Sequence, residues 1–472
     1  MTVKLATLAI TALACCVVGV YGISLHPPAS WSANHDVVPD PVKPRPNPKL
    51  PAVKTRPLIL APGQTVVSLT FDDGRASNTL GAKILTEHDL AGTFFLNSGN
   101  IGKPGYLTLP EVDAIATSGH EIAGHTVNHP DLAGLTHDEV ARQICGDRDT
   151  WLAWGFPVRN FAYPFSSATP EVEQIVHDCG YNSARSLGET RTVHMPENVT
   201  AENCRLCVWS ESVPPPDPYY TRAPAQVRSN WTVEELEAQV TRATDGDGSP
   251  YSGDGGWVQL TFHGICPTDC SDITTPAAEF EAFVTWLADQ QADGKLIVRT
   301  VGDVIGGDVA PAVSGPAPAA NLVNGDLKVN QDGVLPCWQR ASNGNNKLEF
   351  SVVPGHSGTG EKIVVRDYHD GEAGLLSTQD LGDCAVAVTP GQTPTLSAWY
   401  RSTVPTRFSV QYRTDRGNWF YSTSGPVLPA SNGRTQATWK VPPAPRGATA
   451  ISFGLMIAQN GEITTDDYEL RR

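Results

Sequence analysis

Val66-Val67-Ser68-Leu69-Thr70-Phe71 runs without a charged residue and stops at Asp72-Asp73-Gly74. A short apolar run bounded by a turn signal reads as a strand buried on both faces. Helical spacing follows: Leu80, Ile84 and Leu85 precede a second apolar run, Thr93-Phe94-Phe95-Leu96. The alternation continues outward. Val112, Ile115 and Ala116 recur at helical spacing before Gly119, and Glu121-Ile122-Ala123-Gly124 is a short strand. Thr136 and Glu139 form a capping-box pattern for a helix through Trp151. Phe161-Ala162-Tyr163 reads as a strand, Glu171 to Cys179 as a helix, and Trp257 to Phe262 as a strand. Thr275-Pro276 opens a helix to about Ala292, with Phe280, Phe283, Val284 and Leu287 on one face. Strands alternating with helices predict a parallel α/β domain, either barrel or open sheet.

Helical periodicity ends in the Pro/Ala-rich stretch 308–319. Beyond it come short β-type runs separated by turn residues: Leu348-Phe350-Val352, Ile363-Val364-Val365, Leu396-Ala398-Tyr400, Phe408-Val410-Tyr412 and Ile451-Phe453-Leu455. They predict a jelly-roll β-sandwich over 320–472. At 472 residues the chain has room for two to four domains. Its net charge of −16 argues against a broad nucleic-acid or anionic-membrane binder, which needs a concentrated positive field. A hydrophobic content of 40% excludes global disorder.

The N-terminus reads as a secretory signal over residues 1–22: Lys4, an apolar stretch from Leu5 to Val20, then Gly22 near a cleavage point. The alternative is an uncleaved anchor, since Leu5 to Ile23 approaches the roughly 20 residues that span a bilayer. Either way a secreted or extracellular, cell-wall-associated location is expected, and membrane contact only if the signal stays. Residues 23–63 form a Pro-rich tether with Pro39, Pro41, Pro44, Pro46 and Pro48. Beyond Cys15 and Cys16, eight cysteines remain, an even count that reads as disulfides in an exported chain. Cys337 and Cys384 stand alone in the second domain and are expected to pair. Cys145, Cys179, Cys204, Cys207, Cys266 and Cys270 leave their connectivity open, and the spacings at 204–207 and 266–270 also admit a zinc site.

Four polar pieces fall at the carboxyl ends of predicted strands, where parallel α/β domains build their sites: Asp72-Asp73, the pair His125 and His129, Tyr163-Pro164-Phe165, and His263. Each alone has an ordinary reading as a turn, a helix face or a loop histidine. Together they suit metal-assisted hydrolysis. One carboxylate and two imidazoles suit a catalytic zinc site with a position left for water. A second carboxylate can act as base, and a distal histidine can protonate a leaving group.

The segments Thr70-Phe71-Asp72-Asp73-Gly74, His125-Thr126-Val127-Asn128-His129, Phe161-Ala162-Tyr163-Pro164-Phe165 and Leu260-Thr261-Phe262-His263 resemble the polysaccharide deacetylases, carbohydrate esterase family 4 or the NodB-homology domain. The resemblance covers roughly residues 64–305, within a catalytic domain bounded at 64–307. It implies a distorted (β/α) barrel. It also implies Asp72 as general base, Asp73, His125 and His129 as ligands of Zn²⁺ or another divalent transition metal, and His263 as general acid. Thr126 would bond near His129, and the Phe165 amide would hold the oxyanion. The third segment departs from the family's usual arginine motif, with Ala162 at the arginine's position. Arg185 is the candidate to pair with Asp72 in its stead; the alternative is an ordinary surface arginine. The family's groove-lining motif is not recognisable, and Trp209 or Pro214-Pro215-Pro216 are candidates for that place.

Asn321-Leu322-Val323-Asn324-Gly325-Asp326 and Thr464-Thr465-Asp466-Asp467-Tyr468 bracket the second domain and resemble the ends of jelly-roll carbohydrate-binding modules. The resemblance implies a structural Ca²⁺ held by Asn324, Asp326 and Asp467. Trp419 and Tyr421, after Gly417, are the candidate sugar-stacking aromatics; a purely structural domain is the alternative. The expectation is a monomeric N-deacetylase acting on an N-acetylglucosamine polymer: chitin, peptidoglycan or an exopolysaccharide. Its rivals are an O-acetyl esterase on an acetylxylan-like polymer and a catalytically decayed glycan-binding wall protein.

Overall fold

The computed structural model describes residues 47–194, 208–246 and 253–472. The expected signal at 1–22, the start of the Pro-rich tether, and Cys204 with Cys207 lie outside the described residues.

The first domain orders its elements as β1 (Thr65–Phe71), α1 (Asn78–Glu87), β2 (Thr93–Leu96), α2 (Leu109–Thr117), β3 (Glu121–Gly124), α3 (His137–Ala153), β4 (Asn160–Ala162), α4 (Pro170–Asp178) and β5 (Ser183–Arg185). Then follow α5 (Val233–Thr244), β6 (Gly256–Phe262), a two-stranded flap of β7 (Gly264–Cys266) and β8 (Thr274–Pro276), α6 (Ala277–Ala292), β9 (Leu296–Val298) and α7 (Val301–Ile305). The parallel strands lie in the order β5-β4-β3-β2-β1-β6.

Strand β1 is the hub. It pairs with β6 along its whole length, from Thr65 opposite Gly256 to Phe71 opposite Phe262. Two strands share its other edge: β9 beside Thr65–Val67 and β2 beside Thr70–Phe71. One edge divided between two strands makes the sheet splay and curl. The curl is completed by an irregular segment. The Thr221 amide donates to Ala184 O of β5 at 2.8 Å, and the Val227 amide donates to Thr261 O of β6 at 2.9 Å. The result is a distorted (β/α) barrel, closed on one side by loop backbone in place of a strand.

Successive β1 residues face opposite cores, which is why the run lacks polar alternation. Val67, Leu69 and Phe71 join the outer cluster beneath the helices, where Phe71 stacks on Phe94 at 4.6 Å and meets Phe280 of α6 edge-on at 5.8 Å. Val66 joins Phe95, Ala123, Ala162 and Trp257 in the inner cluster, which also takes Val301 and Val304 of α7. Helix α5 was not anticipated. Its signal is present all the same, since Thr232 and Glu235 cap each other reciprocally. At α3 only half of the expected box forms. Thr136 accepts from the Glu139 amide, but the Glu139 carboxylate turns to the second domain.

The second domain contains β10 (Trp338–Asn343), β11 (Lys347–Pro354), β12 (Thr359–Arg366), β13 (Glu372–Ser377), β14 (Val386–Ala387), β15 (Thr395–Ser402), β16 (Arg407–Thr414), β17 (Trp419–Ser424), β18 (Ser431–Lys440), β19 (Ala448–Ile457) and β20 (Gly461–Arg471). They form two antiparallel sheets, β10-β13-β19-β16-β17 with β14 on β19, and β11-β12-β20-β15-β18. Ile363, Leu396 and Ala398 of one sheet share a core with Leu375, Val410, Phe453 and Leu455 of the other. This is the all-β sandwich expected.

The stretch 308–319 lies along α3. Arg148 donates to Ala310 O at 2.6 Å and Pro311 O at 3.0 Å, and Arg142 donates to Pro316 O and Ala317 O, each at 3.1 Å. Cysteines pair as 145–179, 266–270 and 337–384, so the 266–270 spacing closes a disulfide and not a zinc site. The first of these ties α3 to the end of α4.

Candidate active site

The strand ends bring Asp72, Asp73, His125, His129, His263 and Arg185 to one mouth of the barrel. Asp72 follows β1, and its amide donates to Phe262 O at 2.9 Å. Its carboxylate is buried and accepts from one Arg185 nitrogen at both oxygens, at 2.7 and 2.6 Å. Arg185 is only 2% exposed and lies over the Phe95 ring at 5.1 Å. A surface arginine is therefore ruled out at this position.

Asp73 turns away from Asp72 through a left-handed backbone, φ 72°. Its Oδ2 accepts from Arg75 at 3.3 Å. Its Oδ1 is buried without a donor, 3.2 Å from His129 Nε2 and 3.7 Å from His125 Nε2. One donor atom from each of these three residues lies within 4.8 Å of the others. The ring of His125 is oriented from behind, its Nδ1 lying 2.7 Å from Ala162 O. That contact puts the proton on Nδ1 and directs the Nε2 lone pair at the Asp73 side. Position 162 thus serves the site through its backbone. Thr126 Oγ1 accepts from the His129 amide at 2.9 Å. A carboxylate oxygen with no donor, facing two imidazole nitrogens, fits a divalent cation; among the described residues no other such cluster occurs.

Burial works to raise the Asp73 pKa, but the nearby His125, with His263 and His129, holds it well below the carboxylate range. Burial opposes charge on His125, yet Asp73 and Asp72 raise its pKa above the usual imidazole value. Burial, then the His125 charge, lowers His129 to about 4. His263 closes β6 and feels Asp72, Asp73, His125 and Arg185; burial chiefly depresses it. Phe165 follows β4 in a left-handed turn, φ 55°, and sets its exposed ring edge-on to His129 at 4.7 Å.

Asp147 was missed in the sequence. It sits on α3, fully buried, and accepts from the Ser98 amide at 2.9 Å, the His125 amide at 3.1 Å and Trp151 Nε1 at 3.2 Å. Burial pushes its carboxyl up to about 7. No sequence pattern marks it, because its partners are backbone groups, a tryptophan and the distant Tyr181 hydroxyl. Asp147→Ala should lose on the order of tenfold or more in affinity for added Zn²⁺ and lower the Tm, since the buried donors of Ser98, His125 and Trp151 are left unpaired. Unchanged Zn²⁺ binding in a chelator competition would remove Asp147 from this role.

Other candidates fall elsewhere. Trp209 is buried, with the Arg242 guanidinium 4.6 Å from its ring, so it belongs to the packing and not to a groove. Pro214 and Pro216 are exposed. In the second domain Asn324 is spent on Lys328 and Pro336, Asp326 pairs with Lys328, and Asp467 bonds His356 and Ser357. The structure does not turn these three on one cation. The buried carboxylate oxygens without a donor in that domain are on Asp466 and Glu361, not on Asp467. Trp419 and Tyr421 are half-buried, beside a hairpin tip packed on the first domain. They do not form an open platform.

Comparison with known proteins bears on the first domain. Residues 60–184 match the family model described as polysaccharide deacetylase. A chitooligosaccharide deacetylase of Rhizobium leguminosarum bv. trifolii is 35% identical over 80 residues, 16% of this chain and 35% of that protein. A peptidoglycan-N-acetylglucosamine deacetylase of Bacillus cereus is 41% identical over 81 residues, 16% of this chain and 28% of that protein. The chain thus spans about a third of the length of these relatives. Among solved structures, a family 4 carbohydrate esterase from Streptomyces lividans in complex with acetate aligns with 52% of this chain and 98% of its own, at 17% identity and TM-score 0.32. A CE4 family pseudoenzyme from Bacillus anthracis aligns with 52% and 66%, at 18% identity and TM-score 0.32.

Proposed function

We propose that this chain, whose residues 60–184 match the family model described as polysaccharide deacetylase, is a secreted, metal-dependent deacetylase that removes N-acetyl groups from an N-acetylglucosamine-containing glycan. The observation that carries the reading is the donorless Asp73 oxygen facing His125 and His129, with Asp72 beside it. Three disulfides support export.

Asp73, His125 and His129 would hold the ion, Zn²⁺ or another divalent transition metal, which when bound supplies Lewis acidity toward water and the acetyl carbonyl. Asp72 takes a proton from the attacking water, and Arg185 keeps that carboxylate aimed. The Phe165 amide donates to the oxygen that becomes negative as the carbonyl carbon turns tetrahedral. His263 gives its proton to the leaving nitrogen as the C–N bond breaks, yielding acetate and a free amine.

The test is acetate release by residues 24–472 with added Zn²⁺ on chitin oligosaccharides, peptidoglycan, an N-acetylglucosamine exopolysaccharide and acetylxylan. Release that a chelator stops and Zn²⁺ restores is the expected result. No release from any of the four, by folded and metal-loaded protein, would defeat the reading. His263→Ala should slow amide cleavage by about 10²-fold or more and ester cleavage less, because an alkoxide needs less protonation than an amine. Equal losses on both would remove the preference for an amide substrate.

A further inference from the structure

The second domain is seated on the first, and its contact falls on the loop that carries His125 and His129. We propose that the tip of the β16–β17 hairpin, through Asn418 and the Gly417 carbonyl, is a positioning element for that loop. The inference rests on the metal reading of Asp73, His125 and His129.

The loop needs holding. Thr126 and His129 both have left-handed backbones, φ 70° and 60°, and neither is glycine. Such conformations persist only where the surroundings over-determine them. Part of the support comes from the first domain. Gln143 O accepts from the Val127 amide at 3.1 Å, Gln143 Nε2 donates to Asn128 Oδ1 at 2.6 Å, and the Gly99 amide donates to Val127 O at 2.8 Å.

The hairpin supplies the rest. Asn128 Nδ2 donates to Gly417 O at 3.3 Å, so the Asn128 amide spans from α3 to the second domain. Asn418 Nδ2 donates to Gly99 O at 2.6 Å, and Arg416 donates to Ile101 O at 3.3 Å. Gly99 therefore relays the hairpin to Val127, inside the metal loop. There is no slack in this contact. A Cβ on Gly417 would come within 2.8 Å of Val127 Cγ1, and one on Gly99 within 2.8 Å of Arg416 O. Behind the tip, a largely buried ion network fixes the seat. Arg142 of α3 lies 3.2 Å from Glu139 and 2.5 Å from Asp383, and Glu139 accepts from the Leu381 amide at 2.6 Å. This explains why Glu139 abandons its own helix cap.

The test uses the full chain with Zn²⁺ and Co²⁺ as probes. Metal affinity is measured by competition with a chromogenic chelator, the Co²⁺ visible spectrum is recorded, and Tm is followed without metal. Asn418→Ala should weaken Zn²⁺ binding by roughly tenfold, the low end for residues that orient metal ligands. It should also alter the Co²⁺ band while the metal-free Tm stays close to wild type. Asn418→Gln, which keeps the amide donor, should recover part of both losses. Arg416→Ala tests the same contact should Asn418→Ala fail to fold. Wild-type affinity and an unchanged Co²⁺ spectrum in both alanine variants would overturn the proposal. Wild-type protein that binds neither ion would instead overturn the metal reading beneath it, so the two failures are distinguishable.

Discussion

Asp72→Asn should lower kcat/KM for deacetylation by about 10²–10⁴-fold, the span expected for loss of a general base. The substitution is nearly isosteric and leaves an acceptor for Arg185, so the Asp73, His125 and His129 cluster should stay in place, although the buried guanidinium loses its counter-charge and stability should fall. The amide oxygen cannot take the water's proton at neutral pH. Zn²⁺ affinity is therefore expected to stay near wild type while acetate release falls. Paired measurements of metal binding and acetate release check this. Retained activity in Asp72→Asn would move the base elsewhere, and a parallel loss of Zn²⁺ would make Asp72 a ligand.

Arg185→Met should be the most destabilising single change at the site. The guanidinium and the Asp72 carboxylate are both buried, 2% and 3% exposed. Removing one partner leaves an uncompensated buried charge, a loss of about 3–5 kcal/mol. Activity should fall as well, because nothing then aims the base. The double variant Asp72→Asn/Arg185→Met should recover much of the stability and none of the activity, since the stranded charge is gone along with the base. Urea denaturation of wild type, both single variants and the double variant gives the coupling directly. Equal stability of Arg185→Met and wild type would mean that water reaches Asp72 and replaces the guanidinium.

Much of the first domain was legible because its signals are local. Doubly buried strands, helical periodicity and caps depend on residues within a turn or two of each other, as at β1 and at the start of α3. The four candidate segments at strand ends were legible for the same reason, each being contiguous. Asp147 was not, because it holds the backbone of two distant loops, and backbone carries no sequence signal. The expected calcium ligands and stacking aromatics were read from segment ends and from a turn. In the fold those side chains are committed to neighbours that only packing could supply.

The parallel α/β class, the sandwich that follows it and the residues at strand ends all follow from local patterns in the chain. The tertiary structure alone decided two things. Arg185 closes β5 and Asp72 follows β1, four places apart in the strand order. At about 4.8 Å per strand that is roughly 19 Å across a flat sheet, beyond the reach of any side chain. They meet at 2.6 Å because β1 shares one edge between two strands and the sheet curls. The seat of the second domain on the loop of His125 and His129 was equally hidden, since Gly99 and Asn418 lie 319 residues apart and meet only where two folded surfaces fit.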